Sequence, residues 1–259
     1  MKKKFKLQPM LLLAIAAVLL IASTVGSTQA ALIYYSDKYI ADVKISNIGV
    51  SLVENGVVVN YRDYIEDGEW HVLDENSSDD VVPTLKLDNL KDVKVVPGVS
   101  YPETLQVANT GAIDSYVRVI LTKYWADENG NKVRYWNNVE NENMKLDPAY
   151  IVLESPEDAN WSKSNESTAE REIYYYKPIL PVDGQTDPVI SHVKLSGDIS
   201  KELIQKVEGN TVQYVYKYDG YQFVIEAEVQ SVQTHNAVDA IKSAWGVNAT
   251  FENGTLEVN

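Results

Sequence analysis

Long stretches of the chain alternate hydrophobic and polar positions with a period of two. Tyr221, Phe223, Ile225, Ala227 and Val229 are apolar, and Gln222, Glu226, Glu228 and Gln230 lie between them, with Val224 as the exception. Val117, Val119 and Leu121 alternate in the same way with Arg118 and Thr122. This period puts successive side chains on opposite faces of a strand, so both runs predict antiparallel strands with one buried and one wet face. Asn-Gly or Asp-Gly pairs begin at Asn55, Asp67, Asn129, Asp183, Asp219 and Asn253. Such pairs accept the positive φ of tight turns. They predict hairpins joining 45–52 to 57–64, 116–125 to 132–136, and 211–218 to 221–232. Many such strands with turns between them predict an all-β, antiparallel sandwich or barrel.

Helix signals are few. Asn236 offers an N-cap, Asp239 an acidic first turn and Gly246 a C-cap, while Val238, Ile241 and Trp245 share one stripe. A second short helix is predicted over 199–207, between Asp198 and Gly209, and a single turn over 155–158 with Pro156 at its first position. The expected fold therefore carries two or three short helices. Loops 74–80 and 137–145 are acidic and Asn-rich and predict solvated insertions. No repeat or low-complexity linker divides the chain, so residues 31–259 are expected to form a single β-sandwich domain.

The N-terminus departs from this pattern. Lys2, Lys3, Lys4 and Lys6 precede an apolar run over 11–22, and small and polar residues fill 23–30. Charged, apolar and small, in that order, is the layout of a secretory signal peptide spanning 1–30. Thr28 and Ala30 place small residues where a signal peptidase reads, so cleavage is expected between Ala30 and Ala31. A retained anchor is the rival reading, but the run over 10–25 is only borderline against the roughly 18–20 apolar residues of a span and carries Ser23 and Thr24 at its end. Cleavage predicts a secreted protein, extracellular or on the cell surface, with no stable membrane anchor.

Composition narrows the partners. With 23 basic and 37 acidic residues the net charge is −14, and four of the lysines sit in the leader, so the exported part is more acidic still. Such a polyanion repels nucleic acid, which is not an expected partner, and anionic lipid. The chain has no cysteine. That excludes a disulfide scaffold, thiol catalysis, cysteine zinc sites and a lipid-modified N-terminal cysteine. N-x-S/T sequons at Asn76, Asn165, Asn248 and Asn253 matter only on a eukaryotic secretory route.

Little in the sequence encodes chemistry. His71, His192 and His235 are far apart and form no H-E-x-x-H motif. Asp127-x-Asn129-x-Asn131 resembles the start of a calcium loop, but Lys132 stands where that loop needs glycine, so a hairpin turn is expected. G-x-S-x-G, Walker and dinucleotide motifs are absent. A glycosidase acid pair leaves no spacing signature and stays open. No catalytic residue, metal ligand or cofactor is assigned, and a non-enzymatic protein is expected. Among the 17 tyrosines are the triple Tyr174-Tyr175-Tyr176 and the pairs Tyr124-Trp125 and Tyr135-Trp136. These rings suit strand cores, or a platform for sugar rings in a glycan-binding β-sandwich.

Several stretches carry a family likeness. They are the leader junction Gly26 to Asp37 (G-S-T-Q-A-A-L-I-Y-Y-S-D), Pro97-Gly98, Val107-Ala108-Asn109-Thr110-Gly111 with Tyr116-Val117-Arg118-Val119, and Gln233-Thr234-His235-Asn236 with Ser243-Ala244-Trp245-Gly246. Together they resemble the TasA/camelysin family of exported Gram-positive surface and biofilm-matrix proteins, most closely relatives with a SipW-type signal peptide. The likeness covers the leader, a central block and the C-terminal quarter, and leaves out 137–185. It implies a jelly-roll-like sandwich and processing by a SipW-type signal peptidase. For fibre-forming members it implies head-to-tail assembly through a donated N-terminal strand. The start of the exported part lacks the polar, Lys-rich character of those members, and the metalloprotease label of some camelysin-type proteins finds no zinc motif here. Leu32, Ile33, Tyr34 and Tyr35 form the candidate donor strand, which must tuck into its own sheet or complete the edge of a second copy. The expected function is a cell-surface or biofilm-matrix structural protein that partners itself or matrix components. A glycan-binding module is the alternative.

Overall fold

Antiparallel strands stack in two facing sheets in the computed structural model, which describes residues 47–64, 70–73, 84–252 and 254–258. All of these belong to one unit, Ser46–Asn259. In chain order the strands are β1 (Gly49–Glu54), β2 (Val57–Tyr64), β3 (Trp70–Leu73), β4 (Ser100–Asn109), β5 (Ser115–Ala126), β6 (Lys132–Val133), β7 (Ile151–Glu154), β8 (Trp161–Lys163), β9 (Arg171–Tyr176), β10 (Ile190–Leu195), β11 (Leu203–Glu208), β12 (Thr211–Tyr216) and β13 (Gln222–Gln233). Helix α1 (Ala237–Trp245) and strands β14 (Ala249–Glu252) and β15 (Thr255–Val258) follow. The first sheet has the order β3-β2-β1-β4-β10-β7, and the second the order β13-β5-β9-β8 with β6 against β5. β11–β12 and β14–β15 are separate hairpins.

The expected alternation builds the core. Val50, Leu52, Leu105, Val107 and Ile190 of the first sheet meet Val117, Val119, Leu121, Ile225, Ala227 and Val229 of the second. From β4 onward the chain crosses repeatedly between the sheets, giving an all-β, jelly-roll-like sandwich. Asn55 and Gly56, with φ of 50° and 81°, turn β1 into β2 as their sequence predicts. The likeness-bearing Asn109-Thr110-Gly111 is the corner between β4 and β5. Asn109 Nδ2 donates to the carbonyls of Ile113 (2.9 Å) and Leu180 (3.1 Å), and Asn109 Oδ1 accepts from the Gly111 N–H at 2.9 Å. A Cβ on Gly111 would lie 2.4 Å from the Gly49 nitrogen, so only glycine fits that corner.

Several expectations are corrected. β5 is not wet on one face, because α1 and β14–β15 form a third layer outside the second sheet. Tyr116, Ile120, Ile173 and Tyr175 pack there with Ala237, Ile241, Trp245 and Leu256. Arg118 is buried in this layer. Its guanidinium lies 5.2 Å from the centre of the Trp245 ring, and Nε donates to Gln230 Oε1 at 2.8 Å. The buried stripe of α1 is Ala237, Ile241 and Trp245, spaced four apart on one ridge, and Val238 is exposed. Asn236 adopts a left-handed conformation and makes no side-chain cap bond, whereas Gly246 closes the helix with φ 75° as expected.

The helix expected over 199–207 is a 3₁₀ turn, Gly197–Lys201, followed by β11. Pairing with β12 outweighs a weak local helical preference. Gly209, with φ 59°, is the hairpin turn and not a helix cap. Asp219-Gly220 makes no hairpin, since β12 pairs with β11 and β13 with β5, and it hands the chain from one layer to another. Residues 155–158 form a turn, not a helix, closed by the Ala159 N–H on the Pro156 carbonyl at 3.3 Å. Loop 137–145 is exposed apart from Met144, and loop 74–80 lies outside the described residues.

A buried ion pair ties the sheets together. Lys123 Nζ donates to Glu172 Oε1 at 2.7 Å and to the Ile151 carbonyl of β7 at 2.5 Å. Burial pushes the Glu172 carboxyl up, but hydrogen bonds from Lys123, Lys163 and Tyr174 outweigh it and hold the group below the usual carboxylate range.

Candidate functional site

A cleft of about 750 Å³ opens where β5, β10 and β12 end and β13 begins. Strand ends leave core aromatics without a facing sheet, and here Trp125, Tyr216, Tyr218, Tyr221 and Phe223 line the opening. Trp125 is its buried floor, with Nε1 donating to the Asp147 carbonyl at 2.9 Å. The Tyr218 ring lies 4.6 Å and the Phe223 ring 6.4 Å from it. Both inner tyrosines are held at their hydroxyls: Tyr218 Oη accepts from the Asp147 N–H and Tyr221 Oη from the Asn137 N–H, each at 2.9 Å. Burial pushes the Tyr218 phenol up. The neighbouring Tyr150 phenol is pushed up to about 12, by its hydrogen bond to Glu202 first and by burial second.

The opposite wall includes Leu87, Leu90 and Ile199. Leu87 sits at φ 47°, a left-handed conformation that a branched side chain seldom adopts. The buried carboxylate of Glu54 fixes it there, accepting the Leu87 N–H at 2.7 Å and the Lys86 N–H at 2.9 Å. Beside Glu54 lies the fully buried Glu103, whose Oε1 accepts from Asn55 Nδ2 at 2.9 Å. Burial, then the neighbouring Glu54, push the Glu103 carboxyl up to about 7 against the Asn55 bond. Glu103 Oε2 has no hydrogen-bond partner among the described residues. The polar lining of the cleft is Lys86, Lys91, Ser200, Asp219 and Gln222.

Tyr216 also belongs to the outward face of the β11–β12 hairpin. Register puts Leu203, Gln205 and Val207 opposite Tyr216, Tyr214 and Val212 on that face. All six are exposed, Val207 by 65% and Tyr214 by 63%, and none is charged. The inward face buries Ile204 and lays Lys206 Nζ 5.2 Å from the centre of the Trp136 ring. At the base of the hairpin Lys217 Nζ pairs with Glu202 Oε2 at 2.5 Å.

Of the residues singled out in the sequence, Ala30, Ala31, Leu32, Ile33, Tyr34 and Tyr35 lie outside the described residues, as does the side chain of His71. His192, on β10, has Nδ1 3.0 Å from Ser191 Oγ. No group of three or more His, Cys, Asp or Glu among the described residues is arranged to hold a metal ion. Asp127 works as a turn residue, its carboxylate accepting the N–H groups of Asn129 and Asn131. The tyrosine triple is core: Tyr174 and Tyr176 face the sandwich interior and Tyr175 the outer layer. Sequence reasoning passed over the cleft. Its signal was the run of aromatics at Tyr214, Tyr216, Tyr218, Tyr221 and Phe223 about Asp219-Gly220, hidden by reading that turn as a hairpin. No helix among the described residues is long and apolar enough to cross a membrane. Comparison with known proteins finds no matching family model, curated protein or solved structure.

Proposed function

We propose that the chain is an exported, non-enzymatic structural protein of the cell surface or extracellular matrix that works by assembling with copies of itself or with other matrix components. The observation that carries this reading is the outward face of the β11–β12 hairpin. A two-stranded sheet with exposed Leu203, Val207, Val212, Tyr214 and Tyr216, and no charge among them, is a surface suited to being covered. It stands on a polyanion whose remaining surface favours solubility.

In this reading the leader is removed between Ala30 and Ala31 by a SipW-type signal peptidase, and the new N-terminal strand Leu32–Tyr35 completes the sheet of a second copy in a fibre. The family likeness supports that route, and so does the physical need of a free apolar strand for an edge. Residues 31–259, purified and followed by light scattering and electron microscopy, are expected to form elongated oligomers. Removal of 31–39 is expected to abolish them. A protein that stays monomeric at every concentration and pH contradicts the proposal.

A further inference from the structure

We infer that the cleft beside the β11–β12 hairpin is a binding site for an acidic polysaccharide, a chain of sugar rings bearing carboxylates. A sugar ring presents an apolar C–H face and a polar rim, and the cleft presents the complement. Tyr218, Tyr221 and Phe223 offer ring surface over the Trp125 floor, while Ser200, Asp219 and Gln222 offer hydrogen-bonding groups around them. The rings are set in place before any ligand arrives. Backbone N–H groups of Asp147 and Asn137 engage the hydroxyls of Tyr218 and Tyr221, and the Asp147 carbonyl engages the indole of Trp125. That leaves Tyr218 and Tyr221 ring surface to give, with little ordering cost on binding.

Charge selects the class of sugar. The charged side chains lining the cleft are Lys86, Lys91 and Asp219, two cations to one anion on a chain of net charge −14. Lys91 pairs with Asp88 at 2.6 Å, but both side chains are more than half exposed, so a ligand carboxylate can compete for that lysine. The polar rim suits a saccharide better than an apolar peptide or lipid chain. Tyr216 joins the cleft to the exposed Tyr214 on the hairpin, so the surface continues past the cleft and favours a chain over a small molecule.

The test is a titration of the full chain with polygalacturonate, dextran and anionic phospholipid vesicles, read by tryptophan fluorescence and co-sedimentation. Polygalacturonate is expected to bind saturably, more weakly as salt is raised, and dextran at least about tenfold more weakly. Tyr221→Ala is expected to weaken polygalacturonate binding about tenfold, and Lys86→Glu with Lys91→Glu about fivefold. Tyr221→Phe keeps the ring and guards against misfolding, and it is expected to bind within about twofold of the parent. No binding to polygalacturonate, equal binding to dextran, preference for vesicles, or indifference to these substitutions overturns the inference. Light scattering of the same variants keeps this site separate from assembly, which Tyr221→Ala should leave intact.

Discussion

Two hairpins in the C-terminal part of the chain, β11–β12 and β14–β15, are built alike and are treated differently. β14–β15 lays Ala249, Phe251 and Leu256 on the second sheet, with the Phe251 ring 5.0 Å from that of Tyr116. β11–β12 buries Ile204 and turns five large apolar side chains to solvent. The first is reached from α1, which brings Ile241 and Trp245 down on the same sheet face and makes a layer. The second has no such neighbour on its outer face among the described residues. Strand pattern alone does not decide whether an apolar face is core or contact surface, since both hairpins carry one. What decides is the element that comes to rest on it.

The largest expected effect lies on the covered side. Trp245→Ala removes the ring that fills the outer layer and strips the stacked partner from the buried Arg118, and should cost about 3–5 kcal/mol in urea unfolding. A loss under about 1 kcal/mol would mean that α1 is not part of the core, and the contrast between the hairpins would collapse.

A smaller effect separates two buried carboxyls, one behind the cleft and one between the sheets, by the sign of their pH dependence. Glu103, behind the cleft wall, has its carboxyl raised from 4.5 to about 7 in the folded state. The folded protein then holds a proton that the unfolded chain has lost. Stability should therefore fall as pH rises through that window and level off above it, by about 2–3 kcal/mol. Glu103→Gln keeps the Asn55 bond, donates to Glu54 and should flatten this slope in unfolding measured from pH 5 to 8. Glu172, beneath the Lys123 brace, is held below its ordinary value, so its stabilisation should instead be lost as pH falls into the acid range. Glu103→Gln and Glu172→Gln variants that shift the pH dependence of stability in the same direction would contradict the account.

The smallest expected effect on folding lies on the open hairpin. Val207→Ser with Tyr214→Ser should change unfolding free energy by no more than about 0.5 kcal/mol, because neither side chain is buried. The same pair should sharply reduce self-association, measured by light scattering.

Much of the fold was legible where one pattern had one meaning. The alternation through β13, the Asn55-Gly56 turn and the Gly246 cap all reappear in the structure. Legibility failed where a local pattern fitted two outcomes. Leu203, Ile204 and Val207 satisfy both a helical and a strand period over so short a run, and only pairing with β12 chooses between them. Arg118 reads as a wet-face residue because nothing nearby in sequence announces that Trp245 will cover it. One wall of the cleft shows in the sequence as the aromatic run from Tyr216 to Phe223, but its other wall, Leu87 and Leu90, and the buried Glu54 and Glu103 come from distant segments, so spacing along the chain carries no trace of them.

The central claim, that the uncovered hairpin is a contact surface for assembly, is tested most directly by sedimentation velocity across a concentration series. The protein is to be compared with a Val207→Lys, Tyr214→Glu variant whose circular dichroism is unchanged. The parent should assemble as concentration rises, and the variant should remain monomeric. A parent that stays monomeric throughout, or a variant that assembles as readily as the parent, contradicts it.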